Sequence, residues 1–332
     1  MVGLTPYITP QMLLNSNFGI SWTSFPANGA SEPERIAALL DVCWTVTGEM
    51  DTIANLTLRA TIDTETEFGP DWIITVLPND WVRFRLSNWP ITQLVSAQVS
   101  PAWASPPQWT EIPLTAMQTE HAALPVTGST IPSGSGPGPT AALIAPGYVD
   151  WRNGRKGYLV QVTSINGFPT TGIDVAAKKG EKKLHVDDVT GWWNQSAGGG
   201  ARGTIYDPPF REVVEVIDAD EDGDTDSGDE SSDDDMGISG PGHLYLADGL
   251  QFDHTPSVGS TSQSDQRILL TSMPPALIQA GHYLAVHYGL IRGTTAAVVQ
   301  SGRGMVTTTG FKGAMDWYEQ ASRIIERYGR VL

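Results

Sequence analysis

SEPERIAALLDVCWTVTGEMDTIANLTLRAT, residues Ser31 to Thr61, is the stretch whose reading decides the fold. It opens as a helix should. Ser31 is a good N-cap, Glu34 follows three residues on, and Pro33 sits in the first turn, where a missing N–H costs nothing. Ile36, Leu39, Leu40, Cys43, Val46, Met50 and Ile53 recur at helical spacing and form one apolar stripe. Thr45-Val46-Thr47-Gly48 is poor helix material, so a kink or break is expected there. So long a stripe needs partner helices, and the next apolar helical patterns lie some two hundred residues later. The intervening chain therefore reads as an insertion into a helical bundle.

The partners come from the C-terminal end. Ala276 to Leu290 aligns Leu277, Gly281, Leu284 and Tyr288, and Ala314 to Tyr328 aligns Trp317, Ala321, Ile324 and Tyr328. A short helix over Thr9 to Asn15, with Pro10 at its first position, precedes the long one. Between the ends the period changes. Val82, Phe84 and Leu86 alternate with polar neighbours, and further strands are expected at Leu94–Val99, Tyr158–Ile165, Lys182–Val189, Gly203–Tyr206, Glu212–Ile217, His243–Leu246 and Arg267–Leu270. The expected fold is α+β. Residues 1–69 and 273–332 form a discontinuous helical bundle. Residues 70–272 form one or two inserted antiparallel β domains, sandwich or barrel. The Gly/Ser/Pro-rich segment 125–140 reads as a flexible linker and 218–240 as an acidic loop.

Composition narrows the function. A chain of 332 residues has room for about two domains. The net charge of −17 argues against ordinary backbone binding to nucleic acid. Eleven of the acidic residues lie in Asp218–Asp235, and removing them leaves −6, so the acidity is mostly local. The N-terminus shows no signal-peptide pattern, and no apolar run is long enough to span a membrane. The lone Cys43 reads as a small core residue.

Chemical motifs are mostly missing. The six histidines form no HExxH, and no phosphate loop, dinucleotide fingerprint or nucleophile elbow is present. The acidic tract holds one calcium-like pattern: Asp218, Asp220, Asp222, Asp226 and Asp229 offer oxygens at alternate positions, with Asp224 between and Gly223 for the turn. No helices are expected beside it, and the closing ligand is Asp rather than Glu. A solvated acidic loop is the plainer reading. Trp72, Trp81, Trp89, Trp103, Trp109, Trp151, Trp192 and Trp193 lie in or near the β section. They suit a sugar-stacking platform, a β core or protein anchors.

The pattern also resembles a family. ITPQMLL (Ile8–Leu14), the helix leading to Asn55 and Leu58-Arg59-Ala60-Thr61, then Gly69-Pro70-Asp71 and Leu86-Ser87-Asn88-Trp89-Pro90 resemble the head–tail connector (adaptor) proteins of long-tailed bacteriophages. Pro146 to Pro169 resembles the longer, β-inserted members from phages of actinobacteria. LHVDDVTGW, the EVVEV strand and LADGLQFDH resemble a small β module of phage structural proteins. The resemblance implies a non-enzymatic virion subunit without a cofactor. It would form a ring, typically of twelve copies, at the head–tail junction. Its partners would be other copies, the portal protein above, head-closure or tail proteins below, and genome DNA passing through the lumen without sequence-specific binding. The acidic tract and the linker depart from the family pattern, and leave open whether the acidic loop faces the lumen or the outside. From the residues alone, the alternative is a tail-associated or secreted carbohydrate-binding or hydrolytic β protein.

Overall fold

The computed structural model describes residues 4–16, 18, 20–26, 29–69, 73–77, 79–121, 124–126, 139–149, 157–194, 199–221, 239–256, 267–292, 299–300, 306–307 and 311–329. It is an α+β fold with three hydrophobic cores. One belongs to helices drawn from both ends of the chain, and two to the β section between them.

The bundle is built from α1 (Pro10–Leu14), α2 (Glu32–Ala54), α3 (Pro275–Arg292) and α4 (Phe311–Ile325). Ser31 and Glu34 form the capping box at the start of α2. The expected break at Thr45–Gly48 does not occur, and α2 is continuous over 23 residues. The hydroxyls explain this. Thr45 donates to the Asp41 carbonyl at 2.8 Å, Thr47 to Cys43 at 3.0 Å and Thr52 to Gly48 at 2.8 Å. Each Thr is satisfied within the helix, and packing of Val42, Cys43, Val46 and Met50 overrides weak propensity. Asn55 ends the helix in the left-handed conformation that Asn tolerates. The stripes foreseen for α3 and α4 do pack on α2: Leu277, Leu284, Ala321 and Ile325 share its core. Tyr318 donates to Glu49 at 2.7 Å, which ties α4 to α2 and pushes the phenol up to about 12.

The first β core is a sandwich. Strands β1 (Thr61–Gly69), β2 (Ile74–Val76), β3 (Val82–Arg85), β4 (Ile91–Pro101), β5 (Thr110–Glu111), β6 (Met117–His121), β7 (Leu124–Val126), β8 (Pro139–Ile144) and β9 (Tyr158–Asn166) divide into two antiparallel sheets. Their orders are β1-β9-β4-β5 and β2-β3-β8-β6-β7. Val99, Val160 and Val162 of the first meet Val82, Phe84 and Ile144 of the second. The β section thus begins at Thr61, not at residue 70. Sequence pattern hides β1 because it is an edge strand whose inner positions are charged. Asp63, Glu65 and Glu67 pair with Ser164, Val162 and Val160 on the core side. Such inward charges discourage a further strand from adding there. The expected linker 125–140 contributes its ends to β7 and β8, and residues 127–138 lie outside the described residues.

The second β core is a closed six-stranded barrel. It takes β10 (Thr170–Ile173), β11 (Lys183–Val186), β14 (Arg202–Asp207), β15 (Phe210–Glu221), β16 (Gly242–Leu246) and β17 (Ile268–Thr271), in the order β10-β11-β16-β15-β14-β17. A small hairpin, β12 (Trp193–Asn194) with β13 (Gly199–Gly200), lies beside it. Leu184, Ile205, Val216, Leu244 and Leu270 fill the interior under the fully buried Trp192. Gly203 is required here, since a Cβ would stand 2.6 Å from the Trp192 ring. The expectation of a loop from Asp218 onward needs correction. Asp218–Glu221 continue β15 and pair with Gly242–Tyr245. Ala219 points inward after a bulge and extends the alternation of Val214 and Val216, so the acidic residues simply occupy outward positions. Residues 222–238 lie outside the described residues.

Two outcomes are expected for the bundle. Trp317 is half-buried, 5.0 Å from the Tyr283 ring and 6.4 Å from Phe18. Trp317→Ala should lower unfolding free energy by about 2–3 kcal/mol, below the range for a fully buried Trp. An unchanged denaturant midpoint would contradict this packing. Burial pushes His282, 5.3 Å from Phe18, down to about 4, and its Nδ1 has no hydrogen-bond partner among the described residues. The unfolded chain therefore takes up a proton between pH ~6.5 and about 4 that the folded bundle refuses. This contribution is fully present above pH ~6.5 and lost as pH falls through that window, by up to roughly 3 kcal/mol. Urea midpoints at about pH 7 and about pH 4.5 should differ less in His282→Phe than in the wild type.

Candidate functional site

Two of the sequence motifs, Leu58–Thr61 and Leu86–Pro90, meet at one joint between the cores. Asp51, near the end of α2, accepts from the Tyr7 hydroxyl and from the Leu58 amide, both at 2.9 Å through the same Oδ1. The Tyr7 hydroxyl in turn accepts from the Arg59 amide at 2.9 Å, and the Tyr7 amide donates to Thr47 at 3.0 Å. The Arg59 side chain lies over the Tyr7 ring at 5.6 Å and donates to the Thr5 carbonyl. Burial raises the Asp51 carboxyl above its usual range despite these donors. Burial, with the Asp51 charge, raises the Tyr7 phenol well above its own.

The same few residues tie the bundle to both β cores. Phe168 donates to the Leu58 carbonyl at 2.7 Å and accepts from the Ala60 amide at 3.0 Å. Its ring enters the bundle core and meets Tyr328 edge-on at 6.5 Å. Gly167 precedes it at φ 94°, where a Cβ would stand 2.2 Å from the Arg59 carbonyl oxygen, so only glycine fits. The Leu86–Pro90 motif arrives from the sandwich. Glu65 accepts from the Ser87 amide at 2.7 Å, and Asp63 accepts from Asn88 at 3.0 Å and from Asn166 at 3.3 Å. Gly167 donates to the Pro90 carbonyl at 2.8 Å. On the barrel side, Thr5 donates to Asp187 at 2.9 Å, and Asp187 is ion-paired with Arg267. Pro70 and Asp71 of the Gly-Pro-Asp motif lie outside the described residues.

The other candidates from the sequence fare differently. Asp218 and Asp220 sit on β15. Asp218 accepts from its neighbour Ala219, and Asp220 accepts from the Tyr245 hydroxyl at 2.6 Å. Asp222, Asp226 and Asp229 lie outside the described residues, and so do Asp224 and Gly223. Among the described residues, no group of three or more His, Cys, Asp or Glu is placed to hold a metal ion. Of the eight β-section tryptophans, Trp72 and Trp151 lie outside the described residues. Trp192 is buried, Trp81, Trp89 and Trp193 are half-buried, and Trp103 and Trp109 are exposed on the loop after β4. Cys43 is buried in the bundle, where burial raises its thiol.

Sequence reasoning missed the cluster around His254. The ring is fully buried, with Nδ1 at 3.0 Å from Asp207 and Nε2 at 3.2 Å from Glu212. Three residues spread over some fifty positions leave no local signal. Nor did spacing reveal that His185 and His243 face each other across β11 and β16, their rings 5.0 Å apart, with His185 at 2.5 Å from Asp174.

Comparison with protein-family models, with curated proteins and with solved structures found no match.

The joint predicts a graded response. Asp51→Ala strands the Tyr7 hydroxyl and the Leu58 amide in a buried site and should cost about 3 kcal/mol. Asp51→Asn keeps an acceptor oxygen and should cost about 1 kcal/mol. Equal losses in chemical denaturation would remove the hydrogen-bond explanation.

Proposed function

We propose that this chain is a structural subunit of a tailed-phage head–tail connector, forming a ring below the portal through which the genome passes. One observation carries the reading. Leu58–Thr61 and Leu86–Pro90, whose pattern resembles the connector family, are separated in sequence yet gather at the joint of bundle and sandwich. Chance matches along a chain have no reason to converge in space. Exposed apolar side chains on several elements, among them Phe68, Val213, Ile217, Ile291 and Met315, also suit a subunit covered by neighbours on more than one side.

In this reading the subunit works by shape and charge rather than by reaction. The bundle and the β cores supply separate surfaces for portal, neighbour and tail components. The acidic tract gives each copy a dense negative region. Facing the lumen, it would keep DNA from adhering during passage; facing outward, it would aid solubility. The exposed Trp103 and Trp109 on one loop favour, as a second reading, a sugar-stacking surface.

Mass measurement of the purified full chain, alone and mixed with portal rings, tests the proposal. A closed ring of about twelve copies, or a complex with portal, is expected. A monomer that ignores portal, and binds on a glycan array through Trp103 and Trp109, would replace the connector reading with the second one.

A further inference from the structure

The His254 cluster contains an arrangement that a neutral histidine between two ionised carboxylates cannot satisfy. A neutral imidazole has one N–H donor and one lone pair. Here each ring nitrogen faces a carboxylate oxygen, Asp207 Oδ2 at 3.0 Å and Glu212 Oε2 at 3.2 Å. A neutral ring would turn its lone pair onto one carboxylate, with no water to separate them, because the ring has no exposed surface. Glu212 is itself buried and uses its other oxygen to accept from the Gln251 amide at 2.6 Å. The main chain of His254 pairs in both directions with Ala177, at 2.8 and 2.9 Å. Two residues earlier, Phe252 stacks on Phe210 at the tip of the β14–β15 hairpin, rings 4.6 Å apart and 17° from parallel.

We infer that His254 is a proton-held staple: its ring is doubly protonated so as to donate to Asp207 and Glu212 together, and loss of that proton as pH rises releases the Gln251–His254 segment from the barrel. The groups facing the ring are Asp207 from β14 and Glu212 from β15. The other charged residues on the surrounding elements, Arg211, Lys178, Lys179, Glu181, Asp248 and Asp253, are exposed, and Asp174 is engaged by His185. Burial alone would depress the imidazolium. The hydrogen bonds and charges of Asp207 and Glu212 outweigh it and hold His254 above the ordinary histidine range. With the folded value raised, the staple is fully in force below pH ~6.5 and is lost as pH rises through the folded value. The device acts on a defined surface, because Phe252 leaves Phe210 when the segment opens.

Hydrogen exchange of the full chain, followed by mass spectrometry from about pH 6 to about pH 10 and corrected for intrinsic rates, tests this. Peptides spanning 174–180 and 250–256 should lose at least about tenfold in protection across a single step, while the β11–β16 ladder stays protected. In Glu212→Gln the amide can donate to a neutral Nε2, so the step should vanish or move by about one pH unit or more. Asp207→Asn should do the same at Nδ1 and serves if the first variant fails to fold. Flat protection in the wild type would overturn the inference. So would a loss shared equally by the β11–β16 ladder, or a step unmoved in either variant.

Discussion

Three hydrophobic cores in one chain hold together only if their boundaries are fixed, and here a single carboxylate oxygen fixes them. Asp51 Oδ1 takes the Tyr7 hydroxyl and the Leu58 amide, which sets where the long helix stops and where the chain turns toward the sandwich. Arg59, one residue on, reaches back to Thr5, and Thr5 reaches forward to Asp187 of the barrel region. The N-terminal segment, too short to have a core of its own, thus serves as a strap between the bundle and the barrel. Burying two acidic groups here is unfavourable in itself, and burial raises both Asp51 and Asp187. The arrangement persists because both carboxylates are matched by aimed donors, and such a network favours one relative orientation of the cores over its alternatives.

The β cores resolve the edge problem in two ways. The barrel closes on itself, so that none of its six strands is left unpaired on one side. The sandwich keeps an edge at β1 but lines its inner side with Asp63, Glu65 and Glu67. Two of these carboxylates are then used, by Ser87 and by Asn88 and Asn166, to hold the motif loop. The charges that guard the edge against another strand are the same charges that build the joint.

Much of this was legible in sequence wherever burial follows a period. The helical stripes, the capping box and the alternating strands of both β cores are local patterns, and their partners could be inferred from complementary faces. What escaped was set by partners distant in the chain. β1 carries no apolar alternation because its own inner positions are the charged Asp63, Glu65 and Glu67. Thr45–Gly48 reads as a break because intrahelical hydroxyl bonds and tertiary packing are invisible to propensity. Asp218–Glu221 read as loop because acidity was weighed above the inward Ala219. The joint was legible only as a family-like pattern, with Tyr7 and Asp51 unmarked. The His254 cluster, drawn from two strands and a loop, was not legible at all.

The discontinuous bundle also shapes how the chain is made. Between the end of α2 at Ala54 and the start of α3 at Pro275 lie about 220 residues. At ribosomal rates of ~5–20 residues per second, α2 emerges on the order of 10–45 seconds before its partner helices exist. Through that interval Leu39, Val42, Val46 and Met50 lack the cover that α3 and α4 will bring, while the sandwich and barrel complete themselves next door. The bundle is thus the last core to close, and the part of the nascent chain most in need of a chaperone.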